Sequence, residues 1–185
     1  MREASSLTSF IRWPPLWVIG LLCLYLLGAD VAVPVLGYFT GMSDNGEAVT
    51  IFPIFEEVLK LWLVLKVAES AFGAIVTFGL LELLLVKAPL MLEAQGLSEL
   101  LFFVIVSLVA FTFHLATAVA YKSAVSRPAT NAIFCICVTF HILFNSLSLF
   151  NLRTGVWYLS AVLICASVVA SSRLVALLYG RSKRS

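Results

Sequence analysis

Apolar residues fall in long runs separated by short polar links. Six runs reach the roughly 20 residues that a membrane-spanning helix needs: Leu16–Tyr38, Val49–Val67, Ser70–Leu92, Leu100–Tyr121, Ala129–Phe150 and Val156–Tyr179. The fourth carries no charge between Leu100 and Tyr121, and the fifth none between Pro128 and Leu152. The links are Gly41–Glu47, Lys66–Glu69, Glu93–Glu99, Lys122–Arg127 and Asn151–Gly155. Links this short make successive helices antiparallel neighbours. The pattern predicts an all-α polytopic membrane protein, a bundle of about six transmembrane helices forming one domain over residues 1–185.

The basic residues orient that bundle. With the N-terminus in the cytoplasm, Arg2, Arg12, Lys66, Lys122, Arg127, Arg181, Lys183 and Arg184 fall inside and only Arg153 outside. The outer side holds Asp44, Glu47, Glu93 and Glu99. An excess of Lys and Arg in cytoplasmic loops is the usual bias, so both termini are expected to be cytoplasmic. A signal peptide, with Arg2 and Arg12 before an apolar Trp17–Gly28, competes for the first span. Apolar sequence running on to Phe39 and the even helix number argue against it.

Composition agrees and narrows the function. Hydrophobic residues make up 62% and charged residues 12%, against about 45–50% and 25% in soluble domains. A soluble domain and a disordered chain are excluded. A net charge of 12 − 10 = +2 gives no electrostatic footprint for nucleic acid, so no nucleic-acid partner is expected. Cys23, Cys135, Cys137 and Cys165 all fall in predicted spans and read as small buried hydrophobes. Cys135 and Cys137 point about 200° apart on a helix, which suits neither a disulfide nor a metal clamp.

The informative residues are the ionisable ones inside the spans, where each costs at least roughly 2.5–3.5 kcal/mol. They are Glu56, Glu57 and Lys60 in the second span, Glu82 and Lys87 in the third, His114 in the fourth, His141 in the fifth and Arg173 in the sixth. Lys60 is four residues from Glu56 and three from Glu57, so it can reach either but not neutralise both. The carboxylate left over is a candidate general base. Glu82 has no charged residue within four positions, and Lys87, five on, is poorly placed as its partner and expected to snorkel outward. His141 and Asn145, four apart, share a face suited to a water, a metal or an oxyanion. Glu82, His114 and His141 form a candidate three-ligand zinc set with an open position, although the two-His signature with an intervening Glu is absent. Ser107, Ser146 and Ser148 lack the local turn of a nucleophile. Small residues Ala116, Thr117, Ala118 and Ala120 suggest close helix contact along the fourth span.

In order along the chain stand Glu56-Glu57-x-x-Lys60, Phe78-x-x-x-Glu82, His114 and His141-x-x-x-Asn145. This order resembles the PrsW-type intramembrane protease family of the CAAX-protease-like superfamily. The resemblance covers about Phe55–Asn145, within a motif-bearing core of about 49–151. The lysine spacing and Glu82 favour the PrsW branch, because the CAAX branch has Glu-Glu-x-x-x-Arg and then Phe-x-x-x-His. The resemblance implies hydrolysis of a membrane-bound protein by water, with no covalent intermediate. Glu56 would be the general base, and Glu57 would pair with Lys60. Glu82 would help orient the water, His114 would contact it or the scissile carbonyl, and His141 with Asn145 would stabilise the oxyanion. The implied substrate is a single-span or membrane-tethered protein, and the implied location a bacterial or archaeal cell membrane.

Two other functions use the same residues. The superfamily also contains a gamma-secretase subunit that acts as a scaffold, so a non-enzymatic scaffold or immunity protein is the alternative. A proton-coupled transporter would bury Glu and His as well, but no internal repeat is visible. One conflict stands against the shared site. Counted from the outer side, Glu56 is about seven residues into its span and His114 about fifteen, a mismatch of some 12 Å at about 1.5 Å per residue.

Overall fold

The computed structural model describes residues 13–40, 50–67, 69–124, 126–151 and 155–181. These residues are helical, with no strand among them. Helix α1 spans Leu16–Thr40, α2 Phe52–Lys66, α3 Ala71–Glu82, α4 Leu97–Lys122, α5 Arg127–Asn151 and α6 Gly155–Arg181. A π-helical turn, Leu83–Lys87, carries α3 on into a last short helical piece, Ala88–Leu92. Helices thus occupy the six predicted stretches within a few residues. Arg2, Arg12, Asp44, Glu47, Arg153, Lys183 and Arg184, on which the orientation partly rests, lie outside the described residues.

Local chemistry sets the ends. Pro53 sits in the first turn of α2 and Lys66 in its last, where a missing N–H and a positive charge are favoured respectively. Glu99 in the first turn of α4 accepts a hydrogen bond from the Gln95 backbone N–H at 2.8 Å, holding the entry to that helix. The Ser126 hydroxyl accepts from the Ala129 N–H at 3.4 Å at the start of α5.

Among the described residues, three helices are long and apolar enough to cross a membrane: Leu97–Lys122, Arg127–Leu147 and Tyr158–Gly180. Helix α2 is different. Its 15 residues make about 22 Å of helix, short of the roughly 30 Å hydrocarbon layer. Large apolar side chains such as Leu24, Leu65, Leu84, Leu108 and Leu163 face outward from every rod, which fits a lipid environment and not water.

The rods pack in a chain of contacts: α1 on α3, α3 on α2 and α4, α4 on α5 and α6, and α5 on α2 and α6. Ala116, Thr117, Ala118 and Ala120 are all buried, so the expected close contact along α4 is present. One apolar cluster joins Ile75, Phe113, Tyr121, Ile133 and Val168. A second joins Val18, Leu22, Leu26, Leu63, Ala74 and Phe78. Two expectations fail here. Cys135 is exposed and Cys23 only half-buried, whereas Cys137 and Cys165 are buried. The opposed directions of Cys135 and Cys137 explain why one of them faces outward. Arg173 is exposed and takes no part in the polar cluster, because Ser172, one residue earlier and fully buried, holds the inward face of α6.

The α3–α4 crossing is tightest at Gly79. A Cβ added there would stand 3.0 Å from the His114 Cβ and 3.1 Å from Phe111 Cδ2. Gly79→Val should therefore lower stability by about 1–3 kcal/mol through overpacking, read as a fall in thermal unfolding temperature in detergent. An unchanged transition would refute the close approach.

Candidate functional site: two carboxylate–histidine networks between four helices

Each motif residue sits one to three turns inside its helix, and the depth conflict disappears when counting starts from the other end. Glu56 is ten residues in from Lys66, Glu82 eleven from Ala71, and His114 eight from Lys122. These correspond to about 15, 17 and 12 Å of helix. The outer side misleads because α2 starts late and is short.

The first network surrounds Glu57. Lys60, one turn on, donates to Glu57 Oε1 at 2.6 Å, and both side chains are fully buried. His141 Nδ1 lies 3.0 Å from the same oxygen. Tyr121 Oη donates to Glu57 Oε2 at 3.2 Å. Residues of α2, α4 and α5 thus close on a single carboxylate. Lys60 Nζ also lies 5.8 Å from the ring centroids of both Phe78 and Phe113, within cation–π range. The expected Glu57–Lys60 pair is present, and Tyr121 is a partner that the sequence does not reveal.

The second network surrounds Glu82. His114 Nε2 is 2.6 Å from Glu82 Oε2, and Lys87 Nζ is 3.3 Å from Oε1. The expectation that Lys87 is misplaced is corrected. In a regular α-helix five residues run roughly 140° past a full turn. The π turn Leu83–Lys87 has the wider i→i+5 closure and brings Lys87 back over Glu82. Glu82 has both oxygens engaged, so its place is to hold His114 and Lys87.

Glu56 stands between the networks. Lys60 is within reach of both carboxylates of its helix and pairs with Glu57, which leaves Glu56 outside that ion pair. Glu56 Oε2 has no hydrogen-bond partner among the described residues and lies 3.6 Å from His141 Nε2. The side chains of Glu56 and Glu82 retain 13% and 14% exposure. Ligand atoms of Glu56, Glu82 and His114 lie within 4.8 Å of one another. The converging trio therefore contains Glu56 in place of His141, unlike the expected zinc set. Both nitrogens of His141 are turned to Glu57 and Glu56 instead.

The tautomers follow from these contacts. Glu57 is an acceptor, so Nδ1 of a neutral His141 carries the proton and Nε2 offers a lone pair. As it stands His141 is an acceptor on the Glu56 side, not an oxyanion donor. His114 gives its Nε2 proton to Glu82, which leaves Nδ1 buried without a partner. The imidazoles lie edge to face at 6.1 Å, with Phe78 5.2 Å from His114 and Phe113 4.7 Å from His141. Asn145 is half-buried on α5 and engaged in contacts of its own. Ser107 and Ser146 bond the carbonyls of Phe103 and Ile142, each at 2.7 Å, in the ordinary i→i−4 manner. The side chain of Ser148 lies outside the described residues.

No protein-family model, no curated protein and no solved structure matches the chain.

Breaking the buried pair on one side should be severe. Lys60→Ala leaves Glu57 charged and dry, and should cost about 3–5 kcal/mol of stability. Lys60→Met combined with Glu57→Gln should recover most of that loss. Equilibrium unfolding of the single and double variants in one detergent checks both statements.

Proposed function

We propose that the protein is a PrsW-like intramembrane endopeptidase that hydrolyses a membrane-bound protein through water activated by Glu56. The supporting observation is the unpartnered, buried Glu56 Oε2 facing the Nε2 lone pair of His141 at 3.6 Å. Both atoms are acceptors. A water molecule offers one O–H to each, and that arrangement prepares its oxygen for attack. Glu56 takes one proton as the water oxygen bonds to the peptide carbonyl carbon. The carbonyl π pair moves onto oxygen, giving a tetrahedral oxyanion. Collapse breaks the C–N bond, and the proton held by Glu56 passes to the leaving nitrogen. The products are an acid and an amine. Glu57, Lys60 and Tyr121 hold His141, and Glu82 with Lys87 holds His114. The bundle lies in a cell membrane, with both termini cytoplasmic and the substrate's scissile bond near the level of Glu56.

If a metal binds, Glu56, Glu82 and His114 are the residues placed to hold it, and it would add Lewis-acid polarisation of the carbonyl.

The scaffold or immunity alternative draws on the Glu57 network, which is complete without any ligand. The two readings separate in host cells carrying wild type or Glu56→Gln at equal expression. Membrane and secreted peptide N-termini are compared, and purified protein is then assayed on a peptide spanning the cleavage site that the new N-terminus marks. Proteolysis predicts a fragment lost with Glu56→Gln, a rate loss of about 10²- to 10⁴-fold and unchanged unfolding. Identical N-termini from folded, expressed protein would favour the scaffold.

A further inference from the structure

Hydrolysis needs a hydrogen-bond donor aimed at the oxyanion, and the contacts made by the motif lysines and histidines are directed at carboxylates. Lys60 donates to Glu57, Lys87 pairs with Glu82, and Tyr121 donates to Glu57. His141 spends its Nδ1 proton on Glu57 and His114 its Nε2 proton on Glu82. Asn145 is engaged as well.

Helix α1, which lies outside the motif-bearing stretch, carries a donor of the kind required. The hydroxyl of Tyr25 is buried and has no hydrogen-bond partner among the described residues. Leaving a buried hydroxyl unpaired is costly, so its retention calls for an explanation. The ring is held in place. It packs in the cluster of Val18, Leu22, Leu26, Leu63, Ala74 and Phe78, 5.9 Å from the Phe78 ring, which itself lies on His114. Phe78 lies one turn before Glu82 on α3, so this ring contact sets Tyr25 beside the Glu82–His114 pair, whose ligand atoms lie within 4.8 Å of Glu56. Yet Glu56 Oε2 is also unpaired, so the two groups do not bond each other. An unspent donor on α1 and an unspent acceptor on α2 thus flank the Glu82–His114 pair, as a hydrolytic centre needs for the carbonyl oxygen and the attacking water.

We propose that Tyr25 is a catalytic residue of α1 that donates a hydrogen bond from its hydroxyl to the carbonyl oxygen of the scissile peptide, and to the oxyanion that forms there. It transfers no proton, and the balance of bonds is that of the hydrolysis above. The proposal rests on the endopeptidase reading. Helix α1 thereby completes the active centre that α2–α5 begin.

Tyr25→Phe removes the hydroxyl and keeps the ring on Phe78. Purified wild type, Tyr25→Phe and Glu56→Gln are assayed on the peptide identified from the host comparison, and their unfolding is recorded. The expected result for Tyr25→Phe is a fall in kcat of about 10²- to 10³-fold, the usual effect of losing one oxyanion donor, with KM nearly unchanged. Its unfolding temperature should stay equal or rise, because an unsatisfied buried group is gone. A purely structural hydroxyl would instead lower the unfolding temperature and leave kcat intact, which overturns the proposal. Full activity in Tyr25→Phe with none in Glu56→Gln overturns Tyr25 alone. Full activity in Glu56→Gln, or no cleavage by wild type, overturns the endopeptidase reading and this proposal together.

Discussion

Burying the Glu57–Lys60 pair is the constraint on which the rest of the structure turns. Moving two charges out of water costs several kcal/mol per ion, and their attraction offsets this only when the remaining lone pairs are also filled. Lys60 supplies one contact from the same helix. The others must come from elsewhere, and they come from Tyr121 on α4 and His141 on α5. Satisfying one carboxylate therefore draws three helices to a common depth and sets the ring orientation and tautomer of His141.

The same helix produces the opposite condition one residue earlier. Glu56 is turned about 100° from Glu57 and lies near His141, Glu82 and His114, while Lys60 is spent on Glu57. One carboxylate is fully paired, and its neighbour keeps an unpaired oxygen. Adjacent acids with such different surroundings are suited to different work: one supports the site, and the other can accept a proton. The π turn after Glu82 does similar service. A helix that widens by one residue brings Lys87 to Glu82, so Glu82 is held without help from the Glu57 network. Apolar rings isolate both networks. Phe113 stacks on Phe144 at 5.0 Å, and Phe78 lies between Tyr25 and His114.

Contacts within a single helix were legible in the sequence. Helical periodicity puts Lys60 within reach of both Glu56 and Glu57, and the resemblance chose Glu57. Cys135 and Cys137 are two apart, and the same periodicity separates them. The small residues of α4 announced a tight crossing. Tyr121 gave no signal, because a tyrosine near a helix end is common and its value depends on a carboxylate 64 positions earlier. Tyr25 was hidden for the same reason, since nothing local marks a hydroxyl that finds no partner.

The sequence by itself determined the number and limits of the rods, their apolar outer faces, and which residues share a face within each. Covalent spacing and a period of 3.6 residues suffice for that. Only the tertiary structure decided which faces meet and at what depth. The meeting of Glu56, Glu82 and His114 depends on the short α2 being level with its neighbours at the Lys66 and Lys122 end. The pairing of Glu82 with Lys87 depends on a π turn that the residue spacing argues against. Rotation and translation of one helix against another are set by packing and by filling every buried polar atom together, and no local stretch of sequence carries that condition.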